Sequence, residues 1–370
     1  MKVLFFSSSI GSGHDQVAKT LATELKGKVE EVQILDIIKT ISPFLSRVML
    51  ESYLRLLKYA PGIWGLLHDQ FSQPKEISDP LELVNKILAQ EVRERINHFN
   101  PDLIVNTYAL GSTIVGLLKR SKKISIPSAT VITDYNLHSY WIDRDINRFF
   151  VASSFLKDIL VDYGINKENI KAYGIPVRNE FIETSKKEIP LLKKELNLDN
   201  KPTLLFMGGG LGLGDILNVV KQADRYIMDA QFIIACGKNK ELLKKANQIN
   251  TNSTVIPLPF VNNISKYMKC SDIIVTKPGG ITVTEAMVLG KPLALISPIP
   301  GQERHNENYL LNQGVAVSLP SSNYAGIILS SLIKNQKRLN VMTQLQSLIT
   351  NTNSTNDIAN DLLKLAKAKS

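Results

Sequence analysis

The chain is poor in cysteine: only Cys236 and Cys270 occur among 370 residues, each in an apolar stretch. They form no CxxC pair and match neither a secreted disulfide framework nor a metal-ligand spacing, so both are expected to be buried, reduced thiols. Long hydrophobic runs are also missing. No segment approaches the roughly 20 apolar residues needed to span a bilayer. The opening run Lys2-Val3-Leu4-Phe5-Phe6 is too short for a signal-peptide core and reads as a first strand. The expected location is therefore cytosolic, either soluble or peripheral on a membrane. There is no GK[ST] tripeptide, which excludes a P-loop. A dinucleotide fingerprint is excluded as well, because Leu213 and Asp215 stand where GxGxxG would need glycine. Acidic charge is in deficit, with 34 Asp and Glu against 44 Lys and Arg. The imbalance lies beyond residue 175, where 23 basic side chains face 15 acidic ones. That favours an anionic partner: nucleic acid, an anionic membrane or a phosphorylated substrate.

What is present suits a folded α/β protein. Hydrophobic residues make up 44%, enough for a core, and the length suggests two domains. Strand-like runs at 2–9, 29–36, 102–106, 128–133 and 148–152 alternate with helical periodicity at 14–26, 110–119 and 154–163. After Gly174-Ile175-Pro176 the pattern restarts. A charged linker and surface helix at 186–201 lead to strands at 203–207, 231–236, 254–258, 272–276 and 292–297. The polar stretch 350–356 precedes a last helix, 357–369. Two series of strands and helices, each opening with a strand and a glycine turn, predict two parallel Rossmann-like halves. Ligands of such sheets bind outside the carboxyl ends of the strands. One segment, 41–73, is too long and apolar for a connection. It reads either as a helical subdomain or as an interfacial membrane contact, in which Trp64 and Phe71 would insert.

Four motifs carry chemistry. Gly11-Ser12-Gly13-His14 links the first strand to a helix; its backbone N–H groups attract anions and His14 could accept a proton. Alone, it reads better as a plain helix start, with His14 capping the helix or filling a pocket. The loop 208–214 holds five glycines, Gly208, Gly209 and Gly210 among them, and would allow close backbone approach to a diphosphate. Thr276-Lys277-Pro278-Gly279-Gly280-Ile281-Thr282-Val283-Thr284-Glu285-Ala286 follows a strand and opens a helix. Gly279 and Gly280 would meet an anion, Lys277 and Thr282 flank it, and Glu285 could accept two hydrogen bonds from a ribose diol. The plainer reading of Glu285 is a capping box. Pro298 through Asn308 is a stiff polar loop in which Gln302 and Glu303 set an amide beside a carboxylate, with Asn306 extending that surface.

These motifs, together with Val131-Ile132-Thr133-Asp134-Tyr135, His138, Trp141 and Gly174-Ile175-Pro176-Val177-Arg178, resemble the processive diacylglycerol glucosyltransferases and monogalactosyldiacylglycerol synthases. These are relatives of the peptidoglycan enzyme that adds N-acetylglucosamine to lipid I. The resemblance covers nearly the whole chain and is most specific from Thr276 to Asn308. It implies a GT-B fold, with two Rossmann-like domains and an interdomain cleft. An acceptor domain would span 1–175, with 41–73 as its membrane contact, and a UDP-sugar domain 176–350; a C-terminal helix in 351–370 would cross back. Phe260 and Val261 would lie by the uracil and Glu285 on the ribose. The diphosphate would fall at 208–214, Gly279–Thr282 and Arg178, and the sugar at Gln302 and Glu303. Gly13, His138 and Trp141 would serve the acceptor side.

The implied reaction moves glucose or galactose from a UDP-sugar to diacylglycerol with inversion, at the cytoplasmic face of the membrane and with anionic lipids as partners. It needs no bound metal or cofactor and no nucleic acid. Asp143-Arg144-Asp145 matches DxD in letters but lies in the acceptor half. Where plant members carry an aspartate five residues before the motif histidine, this chain has Ser9. The general base then falls to His14, with Asp134 as alternative or orienting partner. Two other readings stay open: a transferase acting on a polyprenyl-linked cell-wall precursor, and a nucleotide-sugar-binding protein without catalysis.

Overall fold

The computed structural model describes residues 1–8, 12–41, 82–182, 188–210, 212 and 214–368. The segment 42–73, with Trp64 and Phe71, and the turn residues Ser9 and Gly11 lie outside them. Two compact units are present. The first comprises Met1–Val177, Ile299–Gln302 and Asn353–Ser370; the second comprises Arg178–Pro298 and Glu303–Thr352.

The first unit is built on a parallel sheet of β1 (Lys2–Ser7), β2 (Glu31–Asp36), β3 (Leu103–Asn106), β4 (Ser128–Val131), β5 (Arg148–Phe150) and β6 (Ile170–Lys171), in the order β2-β1-β3-β4-β5-β6. The second holds β7 (Thr203–Met207), β8 (Gln231–Ala235), β9 (Thr254–Leu258), β10 (Ile273–Thr276), β11 (Leu293–Ile296) and β12 (Ala316–Leu319), in the order β12-β11-β10-β7-β8-β9. Both are parallel throughout, as the alternating pattern predicts. Helices on both faces explain the unbroken apolar strands. Val3, Leu4, Phe5 and Phe6 of β1 are all fully buried, as are Leu204, Leu205 and Phe206 of β7. Each such side chain contributes about 1.5–3 kcal/mol by leaving water.

In each sheet the strand order reverses beside the first strand, between β1 and β3 and between β7 and β10. The register pairs Phe6 with Asn106 and Met207 with Thr276, so the strand ends on either side of each reversal are level. Loops leaving them must splay apart, and the crevice they leave is where such sheets bind ligands.

In the second unit, the helices Ile216–Tyr226 and Ser322–Lys334 pack so closely that a Cβ on Gly326 would lie 2.1 Å from the Gln222 carbonyl oxygen. The rings of Phe206 and Phe232 meet edge to face at 5.7 Å beneath them.

Several boundaries differ from the sequence reading. Strands β6 and β12 are additional. The helix Glu82–Phe99 is also additional. The last helix begins at Ser354 rather than Asp357. There the Ser354 hydroxyl donates to the Ile175 carbonyl at 3.0 Å and that of Thr355 to the Val177 carbonyl at 2.8 Å. A polar stretch that reads as loop is thus helix, because its hydroxyls find partners from another part of the chain.

Candidate functional site

At the reversal of the first sheet, the helix Ser12–Leu25 starts just beyond β1 and carries Gly13 and His14 in its first turn. The imidazole is half-buried. Its Nδ1 lies 2.9 Å from the hydroxyl oxygen of Thr133, two residues past the end of β4. Tyr108, which follows β3, meets the ring edge-on at 5.1 Å, and the buried Trp141 lies tilted at 6.0 Å. Burial lowers the His14 pKa, while the Asp134 carboxylate and the Thr107 carbonyl pull it back up. Desolvation is the larger effect, so the ring is neutral at neutral pH and holds a lone pair able to take a proton. Burial also pushes the Tyr108 phenol up to about 12, with the nearby Asp36 charge adding to the rise. The phenol therefore stays protonated. Asp134, the alternative base of the sequence reading, is buried and accepts a hydrogen bond from the Gln302 side-chain amide. His138 lies one turn before Trp141; its Nδ1 accepts from the Tyr140 N–H and its ring stacks on Tyr140 at 5.3 Å.

At the reversal of the second sheet, two loops carry the glycines. After β7, Gly209 and Gly212 adopt φ of +68° and +59°, which L side chains rarely occupy. The turn after β8 holds this loop in place. The Lys238 N–H donates to the Gly210 carbonyl at 3.1 Å, and the Asn239 side chain donates to the Gly212 carbonyl at 3.0 Å. Gly237 lies so close beneath that a Cβ there would be 2.7 Å from the Gly210 oxygen. After β10, Gly279 is the N-cap of the helix Gly280–Val288. A Cβ added to either Gly209 or Gly279 would meet nothing within 4 Å, so the space before both is open. Helix N-terminal N–H groups facing open space attract an anion.

The flanking side chains are arranged around this cradle. Phe260 is exposed and Lys238 lies 5.9 Å from its ring centre, a pairing suited to a flat, partly negative ring. Val261 is half-buried beside it. Lys277 is buried and pairs with Glu303 at 3.0 Å. Asn306 is fully buried, and its side chain donates to the Pro278 carbonyl at 3.1 Å. Its place in the structure is to brace the turn that presents Gly279 and Gly280. Thr282 is half-buried in the first turn of the helix.

Glu285 sits one turn further along, nearly buried. Desolvation pushes its carboxyl up to about 7, against the pull of Arg178; the Glu180 charge adds to the rise. The Arg178 guanidinium lies 3.2 Å from Glu285 and 2.7 Å from Glu180, and stacks over the Phe181 ring at 4.7 Å. Arg178, expected beside phosphates, is therefore held on the carboxylate assigned to the ribose.

The structure thus gathers His14, Thr133, Asp134, Trp141 and Gln302 in the first unit. In the second it gathers the glycine loop, Lys277, Gly279, Gly280, Glu285 and Arg178. The sequence reading missed Tyr108, Thr133 as a partner of His14, and Lys238. Their only signal was position, each standing two or three residues past a strand's carboxyl end. Asp143 of the DxD lookalike is a clasp: it accepts from Arg120 at 2.5 Å and fills the space a Cβ on Gly116 would need. Both cysteines are free and buried, and burial raises the Cys236 thiol to about 11. Among the described residues no three His, Cys, Asp or Glu side chains cluster to hold a metal, and no helix is long and apolar enough to cross a membrane.

Comparison with known proteins gives concordant matches. Residues 14–177 match the family of monogalactosyldiacylglycerol (MGDG) synthase, and residues 203–362 the glycosyltransferase family 28 C-terminal domain. A processive diacylglycerol beta-glucosyltransferase of Bacillus subtilis (strain 168) is 30% identical over 372 residues, covering 98% of this chain and 95% of that protein. One from Bacillus cereus (strain B4264) is 32% identical over 85% of this chain and 81% of its own. Among solved structures, MurG of Acinetobacter baumannii aligns over 98% of this chain and 99% of its own, with a TM-score of 0.65 at 16% identity. Anabaena Alr3699/HepE in complex with UDP-glucose aligns over 98% and 99%, with a TM-score of 0.59 at 15% identity. At these identities the structural likeness speaks to the fold, which is GT-B.

Proposed function

Because this chain belongs to the processive diacylglycerol beta-glucosyltransferase family, we propose that it transfers glucose from UDP-glucose to the free hydroxyl of diacylglycerol, giving a β-glucosyl lipid. The carrying observation is the chemistry at the two strand-order reversals. One holds a neutral imidazole with a fixed partner; the other holds a glycine cradle flanked by a buried lysine and a buried carboxylate. A transferase needs both, a proton acceptor for the attacking alcohol and an anion site for the departing diphosphate.

In this reading the first unit takes the lipid acceptor and the second the nucleotide sugar. Phe260 and Lys238 flank the uracil, and Glu285 grips the ribose hydroxyls. N–H groups at Gly209 and Gly280 face the diphosphate. As the acceptor oxygen bonds to the anomeric carbon, its proton passes to His14. The bond from that carbon to the β-phosphate oxygen breaks with inversion. The charge that develops on UDP is met by dipoles already in place, which is the main source of rate in such a site. The basic excess beyond residue 175 and the aromatic segment 41–73 support work at an anionic, cytoplasmic membrane face.

The test is direct. Purified protein is incubated with UDP-[14C]glucose and vesicles of diacylglycerol in phosphatidylglycerol, with parallel arms using UDP-galactose and a polyprenyl-linked sugar acceptor. Label in the lipid phase from UDP-glucose and diacylglycerol is expected. Its absence there overturns the proposal, and label only in another arm reassigns donor or acceptor.

A further inference from the structure

We propose that the outer face of the helices Ile216–Tyr226, Lys240–Asn247 and Ser322–Lys334 is a contact surface for an anionic membrane. This deepens the reading of a lipid-dependent transferase and rests on it; the face itself lies wholly within the second unit. The three helices share one side of the β7–β12 sheet. Their Val220, Ala223, Leu242, Ala246, Ala325 and Leu329 join a single apolar cluster with Phe206, Phe232 and Val275, strand residues that point to one side of the sheet. What these helices expose is therefore turned away from the sheet. The first and third run side by side in the same direction. The Asn218 amide donates to the Ser322 hydroxyl at 2.9 Å, the Gln222 carbonyl lies against Gly326, and the Ser330 hydroxyl donates to the Tyr226 carbonyl at 2.9 Å. Each contact repeats at an offset of 104 residues.

That outer side is both apolar and basic. Tyr324, Ile327, Ser331 and Lys334 follow one another at helical spacing and all are exposed, so they form one stripe. Tyr226, whose ring abuts Gly326, brings a second aromatic group to it, and Met228 just beyond is 87% exposed. Of the ten large hydrophobic side chains most open to solvent among the described residues, four are Tyr226, Met228, Tyr324 and Ile327. The cations of the three helices are Lys221, Arg225, Lys240, Lys244, Lys245 and Lys334, every one exposed. The same helices carry only two carboxylates, Asp224 and Glu241. Asp224 is buried and accepts the Ser253 N–H at 2.8 Å, while Glu241 pairs with Lys245 at 2.7 Å. Asp229, next to Met228, pairs with Lys201 at 2.9 Å. Half of the basic excess beyond residue 175 thus falls on these helices. Grouped apolar side chains in water mark a contact surface, and the charge says with what. A second copy would bring the same cations against these and be repelled. Nucleic acid would satisfy the cations but not Ile327 and Met228. An anionic leaflet satisfies both, because tyrosine and aliphatic side chains enter the headgroup boundary while lysine and arginine stay at the phosphates.

The test uses the full chain and sedimentation with phosphatidylcholine vesicles that contain or lack phosphatidylglycerol. Lys221→Gln, Arg225→Gln and Lys334→Gln combined are expected to weaken partition onto the anionic vesicles roughly tenfold or more, and about 0.5 M NaCl to do the same to the unaltered protein. Tyr324→Ser with Ile327→Ser is expected to weaken it several-fold. Lys122→Gln, Lys123→Gln and Lys167→Gln remove the same charge from exposed positions of the first unit and are expected to change partition by less than about twofold. Partition of the lysine–arginine triple variant equal to that of the unaltered protein overturns the proposal. So does a control set as damaging as that triple variant, since net charge rather than this face would then govern binding. A dimer in sedimentation velocity that Tyr324→Ser with Ile327→Ser dissociates overturns it in favour of a second copy. Tighter binding to an RNA oligonucleotide than to the vesicles, lost in the triple variant, overturns it in favour of nucleic acid. Activity separates this proposal from the one it rests on. Transfer to diacylglycerol in phosphatidylglycerol vesicles is expected to fall with partition in the triple variant, while transfer in detergent micelles holds. Face-dependent partition by a protein that transfers no glucose in either setting leaves the surface standing and removes the transferase reading.

Discussion

Glu285 offers a quantitative test. Its carboxyl is pushed from the ordinary 4.5 to about 7, chiefly by burial. A raised carboxyl pKa means that the folded protein binds this proton more tightly than the unfolded chain does. The stability linked to it is complete below pH 4.5 and is lost as pH rises through about 7. The difference corresponds to about 3 kcal/mol of destabilisation above pH 8. Glu285→Gln removes the titration while keeping the shape. Comparing the unfolding free energy of the two proteins at pH 5 and pH 8 isolates the effect from every other titrating group. The unaltered protein should lose roughly 2 to 3 kcal/mol relative to Glu285→Gln across that interval. The same carboxyl should govern donor affinity, since only the ionised form accepts hydrogen bonds from both ribose hydroxyls. UDP-glucose suits the assay because its diphosphate has no group titrating near neutrality. Calorimetric affinity should rise about tenfold from pH 6 to pH 8 in the unaltered protein and stay flat in Glu285→Gln. A pH-independent affinity in the unaltered protein, or a parallel pH dependence of stability in the two, would refute the reasoning.

Further expectations concern other parts of the site. His14→Ala should abolish lipid labelling while calorimetric UDP binding stays near normal; wild-type turnover would remove His14 as base. Gly237→Ala places a methyl against the Gly210 carbonyl at a φ of +56°, so a loss of about 1–3 kcal/mol and weaker UDP binding are expected from urea unfolding and calorimetry. Asn306→Ala leaves the buried Pro278 carbonyl without its side-chain donor and should cost about 1–3 kcal/mol, with a larger loss of UDP affinity than of acceptor affinity. Replacing Trp64 and Phe71 by serine should weaken sedimentation with phosphatidylglycerol vesicles; unchanged sedimentation would assign the 41–73 segment to packing.

The alternation of apolar runs and glycine turns by itself determines two parallel sheets. A strand buried on both faces must be apolar throughout, and a chain that leaves a strand for a helix around a ligand needs backbone freedom there. The same local logic marked His14, the glycines of 208–214 and Gly279–Glu285. Tertiary structure alone decided what each of these groups touches. Thr133 meets His14 across 119 positions and Arg178 meets Glu285 across 107. Such pairs leave no local periodicity, because they are made by strand order and register rather than by neighbours in sequence. Asn306 is another such pair: its side chain donates to the Pro278 carbonyl 28 positions away. Burial is likewise a property of the folded state, and it is burial that moves the Glu285 carboxyl to neutrality and keeps the His14 ring uncharged.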